Sequence, residues 1–141
     1  MEYKDIAKGF DANAYLKALI AVALADGGMA PEEMNFIEIQ AKLLALDLDR
    51  LLREPEQNLK KLAHRLPHKT KMIIIRDCIS MAHMDAEYAE SERKRILEIA
   101  QELDLGAEEV TSWEEWLLEY WAVLERGDRL IDGEQGIRPS A

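Results

Sequence analysis

One cysteine, Cys78, is all that the sequence holds. A lone thiol can form neither an intramolecular disulfide nor a cysteine-rich metal site. Its neighbours over residues 73–81 are mostly apolar, so a buried, inert thiol is expected. Long uncharged apolar stretches are also missing, and none reaches the roughly 18 residues that a membrane span needs. The start, Met1-Glu2-Tyr3-Lys4-Asp5, lacks the basic segment and apolar core of a signal peptide. A cytoplasmic protein with no direct membrane insertion is the expectation. Positive charge is scarce: 18 Lys and Arg against 28 Asp and Glu leave a net charge of -10. That balance argues against a nucleic-acid partner, since duplex affinity comes from neutralising phosphates, but it permits binding of cations or basic proteins.

Catalytic constellations are absent too. His64 and His68 are four apart, but Pro67 lies between them and breaks the helix face a zinc pair would share. The residues three before His64, His68 and His83 are Lys61, Arg65 and Ser80, which excludes the Glu-x-x-His pairs of a di-iron bundle. His83 follows Cys78 by five residues, off its helical face, and is expected in the core or at its boundary. No enzymatic activity and no catalytic residue are expected.

Helical periodicity fills most of the chain, with no useful strand-like alternation. Residues 12–26 carry Leu16, Leu19, Ile20, Ala23 and Leu24 at the spacing of one buried stripe, and Gly27 and Gly28 end the helix. Pro31 suits the first position of the next, with Glu32 and Glu33 in its first turn and Met34, Ile37, Ala41, Leu44 and Ala45 inward. Residues 47–66 read as short pieces, one near 48–53 and another from Pro55. A helix over 67–84 turns Met72, Ile75, Ile79 and Ala82 to one side, and one over 90–103 buries Ile96, Ile99, Ala100 and Leu103. The last, over about 107–125, is striped by Val110, Trp113, Leu117, Tyr120, Trp121 and Leu124. These pieces make an all-α domain over residues 1–126, a compact bundle of about six to seven helices. Residues 127–141, with three glycines, a proline and no periodicity, are expected to form an irregular tail.

An offset of 59 residues aligns positions 23–46 with 82–105, and eight of these 24 positions are identical. The shared set includes Asp26/Asp85, Ala30/Ala89 and Glu33/Glu92, so two helical hairpins of common origin are expected. Each Asp closes a helix, where the dipole disfavours a carboxylate by about 0.3–1 kcal/mol, and each Glu opens the next, where a carboxylate is favoured. Two carboxylates brought together call for a proton, a cation or a basic side chain between them. Each turn is thus a candidate oxygen-ligand site for calcium, magnesium or manganese, with Asp26, Glu33, Asp85 and Glu92 as the metal ligands. Plain capping would use the same residues, although Ala30 and Ala89 stand where a capping box has Ser or Thr. The seven-residue separation of Asp and Glu is too short for an EF-hand loop of about twelve.

The turn Ala25-Asp26-Gly27-Gly28-Met29-Ala30-Pro31-Glu32-Glu33, with its degraded copy Met84-Asp85-Ala86-Glu87-Tyr88-Ala89-Glu90-Ser91-Glu92, resembles the tellurite-resistance TerB family. The resemblance covers about residues 10–125. It implies a helical bundle with paired hairpins, a divalent-metal site on the four acidic residues, and a bacterial stress-response role in resistance to tellurite and other toxic oxyanions. Similar domains stand at the N-terminus of membrane-anchored DnaJ-like co-chaperones, so a metal-free interaction or scaffold module, with a protein partner, is the alternative. Ala86 departs from the pattern where the first turn has glycine. Exposure of Trp116 would favour the interaction alternative.

Overall fold

A computed structural model describes residues 10–25, 27–54, 59–84 and 88–133. Among these are six α-helices and two 3-10 turns: α1 Ala12–Ala23, α2 Pro31–Leu43, α3 Leu48–Arg53, the turns Leu59–Lys61 and Ala63–Arg65, α4 His68–Ala82, α5 Glu90–Glu102 and α6 Ala107–Ile131. No strand occurs among the described residues. None of their helices is long and apolar enough to cross a membrane.

The core is centred on α1 and α4, which pack on each other more extensively than any other pair. Each also contacts the second helix of the opposite hairpin, α1 on α5 and α4 on α2. Helix α4 is therefore buried well beyond the single expected stripe: Ile73, Ile74, Ile75, Cys78, Ile79, Met81 and Ala82 are all inside. A helix enclosed by neighbours must be apolar over most of its circumference.

The duplication is repeated in backbone geometry at the same 59-residue offset. Helices α2 and α5 start from Ala30 and Ala89, both extended, at φ -66° and -65°. They end in the same way. Leu46 N–H bonds Ala41 C=O at 2.9 Å and Leu105 N–H bonds Ala100 C=O at 2.8 Å. Ala45 and Asp104, one residue earlier, take left-handed φ of 56° and 60°. These are Schellman motifs built without glycine.

Four boundaries and faces differ from the sequence expectation. Leu24 and Ala45 lie past the ends of α1 and α2 and are exposed rather than inward. The described part of the segment between Pro55 and Pro67 forms two 3-10 turns, too short to offset the nucleation cost of an α-helix. Tyr120 and Leu124 on α6 face solvent. Finally, α6 runs through Gly127 to Ile131, so the irregular tail does not begin at 127. One helical glycine costs only about 1 kcal/mol against alanine, too little to stop a long helix. Arg129 pairs with Glu125 one turn back at 3.1 Å, and Gly133 at φ 82° follows the end.

Candidate functional site

Glu33 and Glu92 occupy the third position of α2 and α5. In each helix the glutamate begins the inward row, Glu33-Ile37-Ala41 and Glu92-Ile96-Ala100, at the four-residue spacing that keeps side chains on one face. Both carboxylates are consequently buried, at 1% and 0% exposure.

One oxygen of each has a local partner. Glu33 Oε1 accepts the Ala30 N–H at 3.0 Å, and Glu92 Oε1 accepts the Ala89 N–H at 3.4 Å. This is half of a capping box, made without the Ser or Thr that normally completes it. Capping is thus realised at both turns. It does not explain the burial: Glu109 makes the same bond to the Gly106 N–H at 2.8 Å while remaining partly exposed. Glu33 Oε2 is buried and has no hydrogen-bond partner among the described residues. A buried carboxylate oxygen without a partner is costly, and a cation or a proton is what relieves it.

Asp26 and Asp85 lie outside the described residues, as do Ala86 and Glu87. Among the described residues no three His, Cys, Asp or Glu side chains converge as metal ligands. The burial of Glu33 and Glu92 was not anticipated, because a glutamate in the first turn reads as solvated. The identical four-residue rows in both repeats were the available signal.

Beyond the second turn, Tyr88 packs against His83 at 4.3 Å between ring centroids with the planes tilted by 34°, and His83 meets Trp121 at 4.9 Å. The His83 ring Nδ1 lies 2.9 Å from Ile79 C=O. Arg93, next to Glu92, makes a two-pronged ion pair with Glu114 of α6 at 2.9 and 3.1 Å, tying the start of α5 to the last helix. A groove of about 430 Å³ between α1, α3 and α5 has an apolar floor including Ile20, Leu24 and Leu51, with Lys17, Glu54 and Lys94 among its charged lining. Cys78 is fully buried, and desolvation pushes its thiol well up, as befits an inert core residue.

No protein-family model matches the sequence, and no curated protein sequence matches it. In structure the chain is similar to a tellurite resistance protein from Nostoc punctiforme, with a TM-score of 0.62 and 24% identity over 92% of this chain and 84% of that one. The fold is therefore that of a tellurite resistance protein, the TerB-like helical fold that the doubled turn motif implied.

Proposed function

We propose that this chain is a non-enzymatic bacterial stress-response protein of the tellurite and toxic-oxyanion resistance type. In this reading its two acidic helix–turn–helix loops bind a divalent cation through Asp26, Glu33, Asp85 and Glu92. The observation that carries the proposal is Glu33: a carboxylate 1% exposed, with one oxygen on its cap and the other without a partner among the described residues. A donor set made only of carboxylate oxygens suits calcium, magnesium or manganese over softer metals. A cation there would neutralise buried charge and hold each hairpin's turn closed. The shared fold with a tellurite resistance protein supports the physiological half of the reading.

Calorimetric titration with calcium, magnesium, manganese and zinc tests the cation. The contact chain from Tyr88 through His83 to Trp121 places a fluorophore next to the second turn, so tryptophan emission gives an independent readout. Saturable binding lost in Asp26→Asn/Glu33→Gln supports the proposal; no binding at millimolar metal overturns it. Loss of tellurite tolerance on deletion of the gene, restored by the wild-type chain, tests the physiology.

A second reading, a scaffold with a protein partner, has its own observation. Trp116 is 47% exposed on α6 and stacks on the exposed Tyr120 at 5.3 Å with ring planes 7° apart. Large exposed aromatics of this kind mark interaction sites. Under this reading Trp116→Ala abolishes complementation of the deletion while leaving fold and cation binding intact.

A further inference from the structure

The outer face of α6 has an order beyond mere exposure. Trp116, Tyr120, Val123, Gly127 and Leu130 follow one another at alternating spacings of four and three. That is the spacing of a coiled-coil seam, and it lies away from the core-facing Val110 and Leu117. Four of its members are large and open to solvent: Trp116 at 47%, Tyr120 at 46%, Val123 at 55% and Leu130 at 53%. The fifth, Gly127, has nothing within 4 Å of where a Cβ would stand. Glu119 and Arg126, both exposed, occupy equivalent places along one flank of the seam, one heptad apart.

We propose that α6 pairs two copies of this chain antiparallel about a two-fold axis, Trp116 of each copy packing over Gly127 of the other. Size and charge both select this arrangement. With Trp116 over Gly127, the same register sets Tyr120 against Val123, so each of these layers matches a larger side chain with a smaller one. It also brings Glu119 of each copy to Arg126 of the other, once on each side of the axis, as a two-fold interface requires. A parallel pairing does neither. It would set Trp116 on Trp116, leave a gap at Gly127, and lay Glu119 and Arg126 against the apolar Leu124 and Ile131.

This inference rests on the interaction reading and names a second copy as the partner. Sedimentation equilibrium of the full chain at micromolar to hundred-micromolar concentration tests it. Twice the 16.1 kDa chain mass is expected. Glu119→Arg alone, or Arg126→Glu alone, sets like charges together and should weaken association at least about tenfold. The double variant Glu119→Arg/Arg126→Glu should restore it, which a merely destabilised helix would not do. A mass that stays at the single chain, or a dimer indifferent to these reversals, overturns the proposal. A monomeric chain in which Trp116→Ala still abolishes complementation would sink self-pairing and leave the interaction reading standing; without that loss both fail.

Discussion

Ala45 and Asp104 hold the same left-handed backbone conformation, φ 56° and 60°, at matching positions of the two hairpins. Each N–H bonds the carbonyl three residues back, of Lys42 and Gln101, at 3.2 and 3.1 Å. Glycine is the residue most suited to this place, and a Cβ there costs about 1–2 kcal/mol. Replacing alanine by glycine also loosens the unfolded chain, which offsets roughly 0.4–1 kcal/mol of the gain. Ala45→Gly should therefore stabilise the fold by about 0.5–1 kcal/mol. Asp104→Gly should gain a similar amount: aspartate tolerates the left-handed region better than alanine, but the change also removes a carboxylate from a helix C-terminus. Urea unfolding of the two variants measures both; a loss of stability in either would contradict the strain argument.

Alkaline pH provides a second test. Tyr15 is buried on α1, and its hydroxyl donates to Asp77 Oδ2 of α4 at 2.7 Å. Burial first, then the Asp77 charge, pushes the phenol well above its ordinary value of 10.0. The native state thus keeps a proton that the unfolded chain releases above about pH 10, so stability falls with rising pH there and is unaffected by this group below. One such group contributes a slope of at most about 1.4 kcal/mol per pH unit. Tyr15→Phe should cost about 1 kcal/mol at neutral pH through the lost hydrogen bond. The variant should then narrow its deficit to the wild type as unfolding is followed from about pH 9 to about pH 11. A deficit that stays constant across that range would count against the linkage.

The thiol should be inert. Cys78 is fully enclosed, and desolvation raises its pKa, leaving little thiolate to react. A disulfide reagent should label the native chain only at the rate of global opening, and one equivalent should react at once in denaturant. Fast labelling of the folded chain would show that the α4 core opens locally.

The helices were legible because aliphatic side chains recur at the helical period and Gly27, Pro31 and Pro67 punctuate them. The doubled turn likewise marked the fold class before any coordinates. Two features resisted. Glu33 was read as a first-turn charge because composition carries no burial; only its matching place before Ile37 and Ala41, repeated at Glu92-Ile96-Ala100, betrays an inward glutamate. On α6, two apolar stripes share one helix. Periodicity alone merged Tyr120 and Leu124, which face solvent, with Val110 and Leu117, which face the core. Which stripe is covered depends on the neighbours α4 and α5, and that is tertiary information.

Glu33→Gln separates charge from shape at the candidate cation site. Glutamine keeps an oxygen for the Ala30 N–H, so the cap bond survives, and the change in size is small. What is lost is the negative charge in a place 1% exposed. Without a cation the wild type keeps a buried carboxyl oxygen that has no partner among the described residues, so in chelator the variant should be as stable as the wild type or more so. With a saturating cation the order should reverse. A ligand at a hundredfold excess over its dissociation constant adds about 2.7 kcal/mol to the native state, and for a domain of this size that raises the melting temperature by about 5 °C or more. Thermal melts of both proteins, in chelator and in each metal, measure the crossing. Parallel curves in every condition would show that Glu33 only caps α2, as Glu109 caps α6.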